Sequence, residues 1–189
     1  MAARPDLPAW CVRLICELDA ADHRAEAVAG NLSLPQLNWQ PSPGEWSVGQ
    51  CLEHLRKGNE EVVAAVSAAL EGRPQKRVDE ITLGWLTRSF IRTYIAPNPG
   101  GKRAKAPKKI EPVQQIGPGT LDAFLRSNQA ARDLARRASD YDVNRIRYKN
   151  PFVSFLRFTV GAGLEIIAKH EARHLLQAEG VRQSAKFPL

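Results

Sequence analysis

The chain has 189 residues, 43% hydrophobic and 25% charged, so it is long enough to bury a core, and no apolar run approaches the eighteen or so residues of a membrane span. Three cysteines, Cys11, Cys16 and Cys51, with no CxxC spacing exclude a disulfide framework and a zinc ribbon. The net charge of +7 admits an anionic ligand or nucleic acid, and the short N-terminus lacks the pattern of a signal peptide, so a cytoplasmic location is expected.

The first amphipathic segment runs from Leu7 to about Ala29, where Trp10, Leu14, Leu18, Ala21, Ala25 and Val28 form one helical stripe and His23 lies opposite it, toward solvent. Residues 31 to 43 carry enough breakers, Pro35, Pro41 and Pro43, to read as a loop. The second long helix has a strong start: Ser47 suits the N-cap, Gln50 the reciprocal position, and Trp46 with Cys51 a hydrophobic staple. Leu52, Leu55, Val62, Val63, Val66 and Leu70 continue its apolar face to the break at Gly72 and Pro74, with His54 at the edge of that face and Asn59 in its middle. A buried amide there must be hydrogen-bonded, as a satisfied core group or as part of a site.

After Gly72 a short helical segment, Ile81 to Ile95, carries Trp85, Leu86, Phe90, Ile91 and Tyr94, whose apolar bulk suits contact with a second copy of the chain. Lys102 to Lys109 then holds five basic residues in eight without interleaved aromatics, which reads as a solvated connection before a base-stacking surface. The third long helix spans about Thr120 to Ser139 and carries Asn128 within its apolar stripe. Pro151 suits the first turn of a fourth, from about Phe152 to Ala178 or Glu179, with Gly180 as its C-cap.

Two of the four histidines stand one turn apart in that last helix. His170, His174 and Gln177 fall within about a 60° arc at 100° per residue, on the side that also carries Leu156, Val160, Gly163 and Ile167. A shared divalent cation is the commonest reason for histidines at i and i+4 on an inward face, and His54 is the natural third ligand. Gln177 is placed to orient an imidazole or a bound water, with Asn59 and Asn128 as further polar groups behind the ligands. Glu53 and Glu171 point away from the arc, so no carboxylate stands out as a general base.

Four long amphipathic helices without convincing strands indicate an all-α, up-down-down-up four-helix bundle forming a single domain over residues 1–189. The link between the second and third long helices, about 72–119, is long enough to return along the bundle as a crossover containing the short extra helix, and a tail follows at about 181–189. That topology brings His54 level with His170 and His174, and three ligands leave a position open for water or substrate.

Trp46-Ser47 followed by Gln50 and His54, the Lys105-Ala106-Pro107-Lys108-Lys109 connection, and His170-xxx-His174-xx-Gln177 resemble the DinB-like (DinB/YfiT) superfamily from the first helix to Ala178. The resemblance implies the same bundle, with nickel or zinc held by residues matching His54, His170 and His174. It also implies thiol-dependent transferases and isomerases using low-molecular-weight thiols, or metal-dependent hydrolases, acting on a small molecule. Two other readings stay open: a non-catalytic, stress-related metal-binding bundle, and a nucleic-acid-binding module resting on the basic run, which is disfavoured.

Overall fold

The computed structural model describes residues 6–97, 105–153 and 155–188. It is mostly helical: α1 (Ala9–Ala29), α2 (Leu34–Asn38), α3 (Val48–Leu70), α4 (Trp85–Phe90), α5 (Thr120–Ala138) and α6 (Val160–Arg182) are joined by one small antiparallel sheet, β1 (Arg147–Lys149) and β2 (Arg157–Thr159). No described helix is long and apolar enough to cross a membrane.

The long helices start and stop where local chemistry directs. Ser47 accepts from the Gln50 amide at 3.1 Å, and the Gln50 side chain accepts from the Ser47 amide at 3.0 Å, so two otherwise orphaned donors are satisfied at the N-terminus of α3. The same device operates where the breakers predict a loop: Ser33 and Gln36 form a capping box, Pro35 fits the first turn, and α2 results. Asn38 of α2 then bonds both the amide and the carbonyl of Ile116, tying it to the returning crossover.

The predicted start of the last helix at Phe152 is wrong by two turns. The Asn150 side chain accepts from the amides of Phe152 and Val153, both at 2.8 Å, so Asn150-Pro151 closes a turn instead of opening a helix. The residues on either side pair as β1 and β2, with Tyr148 opposite Phe158 on the inward face. Leu156 therefore lies outside α6, which begins at Val160 behind the Thr159 N-cap. At the other end Gly180 is inside α6, because the next residue, Val181, is buried and extends the packed stripe. The segment predicted as helix over 81–95 is helical only from Trp85 and widens to a π-turn over Ile91–Ile95.

α3 packs chiefly on α5 and α6, and α1 packs on the same two. Ion pairs along α1 and α6 keep step, with Glu17 meeting Lys169 at 2.9 Å and Arg24 meeting Glu179 at 2.7 Å. Two apolar clusters fill the interior. One gathers Trp10, Leu14, Leu18, Val66, Leu134 and Ile167, the other Ala25, Leu52, Leu55, Phe124, Leu175 and Ala178.

Along the helices, a polar layer separates the two clusters. Asn59 of α3 donates to Glu171 Oε1 at 2.7 Å and to Ser127 Oγ at 3.3 Å. Asn128 donates to the Leu18 carbonyl at 3.0 Å and to Asp22 at 2.7 Å, and Arg132 closes on Asp22. Burial pushes the fully buried Glu171 carboxyl up to about 8, against the opposing pull of its bond from Asn59.

Candidate metal centre

Each of the three histidines is delivered by a helix whose phase is set by its packing. His54, two turns into α3, is 2% exposed, and His170 and His174 occupy successive turns of α6. Their candidate ligand nitrogens all lie within 4.8 Å of one another, with His54 Nε2 and His170 Nε2 only 3.0 Å apart. Tetrahedral zinc with bonds of about 2.0–2.1 Å separates its nitrogens by roughly 3.3–3.4 Å. The observed spacings bracket that value, so the residues present fit a divalent ion.

The hydrogen bonds behind the rings decide which nitrogens face inward. His54 Nδ1 lies 2.8 Å from the carbonyl of Ile110, and a carbonyl only accepts, so the proton sits on Nδ1 and the Nε2 lone pair is free. His174 Nδ1 donates in the same way to Gln177 Oε1 at 3.0 Å. Burial lowers His54 to about 4 and His174 to about 3, and it also holds His170 well below the usual imidazole range, with the neighbouring imidazoles adding to the effect. All three rings are neutral at pH 7, the form that binds metal.

Trp46 covers the cluster, its ring centroid 4.6 Å from that of His54 and 5.6 Å from that of His174. A staple position alone gives no sign of this second role. The Ile110 carbonyl is equally invisible in sequence, because any residue supplies a carbonyl and only the crossover's return path brings this one to α3. That path is pinned by Gln50 to the Val113 carbonyl at 3.1 Å and by Lys57 to the Glu111 carbonyl at 2.9 Å.

The histidines form part of the wall of a cavity of about 250 Å³ whose other sides include Val62, Phe90, Ile95, Phe152 and Ile166. Among the described residues, no aspartate or glutamate lines it. Asn59 reaches the wall but spends its amide on Glu171 and Ser127, whereas Asn128 bonds toward α1 and makes no hydrogen bond to the histidines. His23, 83% exposed by its side chain, does not line this cavity and pairs with Glu26. Of the basic run, residues 102–104 lie outside the described residues, Lys105 lines the cavity and Lys109 pairs with Glu61.

Two glycines leave room here, with opposite consequences. A Cβ on Gly58 would sit 3.5 Å from the His170 ring, an ordinary contact, so Gly58→Ala is expected to stabilise α3 by about 0.5–1 kcal/mol. A Cβ on Gly163 would meet the Tyr148 ring at 2.8 Å, and that ring is held against Phe158. Gly163→Ala is therefore expected to destabilise by roughly 1–3 kcal/mol despite the better helix former. Urea denaturation of the two variants beside wild type checks both signs.

A family model described as the DinB superfamily matches residues 17–178. The chain is 27% identical over 157 residues to the "Uncharacterized protein YuaE" of Bacillus subtilis (strain 168), an alignment covering 80% of this chain and 86% of that one. No solved structure matches.

Proposed function

The chain belongs to the DinB superfamily, and from that premise and the geometry of the site we propose that it is a divalent-metal-dependent enzyme, a thiol-dependent transferase acting on a small molecule. The observation that carries this is the cluster of three imidazoles on the wall of a largely apolar cavity that, among the described residues, no carboxylate lines. His54, His170 and His174 would hold nickel or zinc through Nε2. Bound there, the ion would supply an open coordination position at which a low-molecular-weight thiol loses its proton at neutral pH.

The chain's own part is to prepare that position. The Ile110 carbonyl and Gln177 keep ring protons on Nδ1 and so turn the Nε2 lone pairs toward the ion. Trp46 limits access of water to His54 and His174, and the apolar wall receives the body of the acceptor. Hydrolysis is the weaker version because an attacking water would have no carboxylate base, whereas a thiolate is a nucleophile once formed.

The bundle reading is up-down-down-up within a single domain, supported by the stepped ion pairs that run α1 parallel to α6 and by the meeting of the N-terminal part of α3 with the C-terminal part of α6. Trp85, Leu86 and Tyr94, 76%, 66% and 54% exposed, support a homodimer through α4 and the turn after it. A monomer mass at all concentrations in sedimentation would dismiss that assembly.

The test of function starts from untagged protein whose metal content is measured by mass spectrometry. Zinc- or nickel-loaded protein is then given small thiols with an electrophilic acceptor, and in parallel ester and amide substrates. The expected result is thiol consumption that His54→Ala abolishes. Stoichiometric metal without turnover of either kind would leave a metal-binding bundle with no catalytic role.

A further inference from the structure

The charges that line the cavity do not balance. Several basic side chains on the long helices and the crossover are matched: Arg13 with Glu17 and Glu165, Arg56 with Glu53 and Glu60, Arg132 with Asp22, Lys109 with Glu61 and Lys169 with Glu17. Arg173 differs. It stands on α6 between His170 and His174, lines the cavity and makes no ion pair among the described residues. Among the described residues its guanidinium reaches the carbonyls of Tyr94 and Ala96, each at 3.4 Å, beyond the usual length of a strong charged hydrogen bond.

Lys105 lines the same cavity from the crossover. Among the described residues no carboxylate lines the cavity, so Lys105 and Arg173 give this space a positive charge, and a divalent ion would add to it. A partly enclosed space of that kind attracts an anion, because low-dielectric walls focus the field of the half-buried Arg173, while Lys105 stands exposed at its edge. Much of the remaining wall, including Val62, Phe90, Ile95, Phe152 and Ile166, is apolar and calls for an apolar body behind the charged group.

We infer that the cavity takes a small organic anion with an apolar body, its acid group held by Arg173 with help from Lys105 and its body against the Phe90–Phe152 wall. The inference rests on the proposed function for the identity of the site as a substrate site, but not on metal for the recognition itself. Arg173 is the specificity-determining residue, since its fork accommodates a carboxylate through two parallel hydrogen bonds, which the Lys105 ammonium does not.

The test is calorimetric titration with hexanoate and hexanol, chosen because they share a chain and differ in charge. It is run on zinc-loaded protein of verified metal content and again on metal-free protein. Hexanoate is expected to bind at least tenfold more tightly than hexanol in both forms. Arg173→Gln is expected to remove most of that preference, Arg173→Lys to restore part of it, and Lys105→Gln to reduce it about twofold to threefold, with helicity and zinc content unchanged throughout. Equal binding of the acid and the alcohol, or full hexanoate preference in Arg173→Gln, would overturn the inference. Failure to take up zinc would instead overturn the metal-dependent reading, and the metal-free titration would still decide the role of Arg173.

Discussion

Replacing His54, His170 or His174 singly with alanine is expected to lower zinc affinity by roughly two to three orders of magnitude. Structural zinc contributes about 10–16 kcal/mol through four ligands, or about 2.5–4 kcal/mol for each, and every 1.4 kcal/mol is tenfold. The three changes should be nearly equivalent, because each removes one of three nitrogens that lie within 4.8 Å of one another. His23→Ala, at an exposed position on α1, is the control and should change nothing. Competition against a chromophoric chelator measures the affinities. Undiminished binding in any of the three variants would remove that residue from the centre. Gln177→Ala should act more weakly, about tenfold at the low end expected for a partner behind a ligand, since it frees His174 to turn without deleting its nitrogen.

Glu171→Gln is expected to stabilise the protein by about 3 kcal/mol at pH 7 and by little at pH 5. The sign follows from the direction of the shift. The carboxyl is raised by burial to about 8 in the fold, from an ordinary value of 4.5. Below that ordinary value both folded and unfolded chains hold the proton, and the contribution of Glu171 is fully present. Between 4.5 and about 8 the unfolded chain releases the proton while the fold keeps it, so stability is progressively lost as pH rises.

Glutamine keeps the shape and an oxygen to accept from Asn59 but has no proton to lose. The three histidines of the metal-free protein slope the other way, with stability complete above about pH 6.5 and lost as pH falls toward their depressed values. They cancel in the difference between variant and wild type. Urea denaturation of metal-free protein from pH 5 to pH 8 gives that difference directly. Parallel curves would mean that Glu171 is ionised in the fold, its charge met by Arg132 across the polar layer.

The features that local chemistry controls were legible from the residues. The phases of α1, α3 and α5 follow from apolar spacing, and the start of α3 follows from Ser47 and Gln50 within four residues of one another. The pairing of His170 with His174 on one face is a consequence of helical pitch. Errors arose where a local signal had two readings. Pro35 served as the first turn of α2 instead of a breaker, and Asn150-Pro151 closed a hairpin turn because Tyr148 and Phe158 gain an inward face by pairing across it.

Glu171 shows the boundary most sharply. Its helical angle excludes it from the metal arc, yet only the packing of α3 and α5 against α6 shows that it is completely buried, held by Asn59 and driven toward its neutral form. Arg173 likewise reads as an ordinary helix cation until the cavity around it is seen to contain no carboxylate.

By itself the sequence determined which residues share a helical face, and with that the histidines available to a metal, because a helix repeats every 3.6 residues whatever surrounds it. Only the tertiary structure decided which ring nitrogens point inward, what roofs the cluster and which charge the cavity lacks. Those depend on the Ile110 carbonyl, Trp46 and the cavity wall facing Arg173 arriving from segments outside α6, and no spacing along one helix records where another segment will pass.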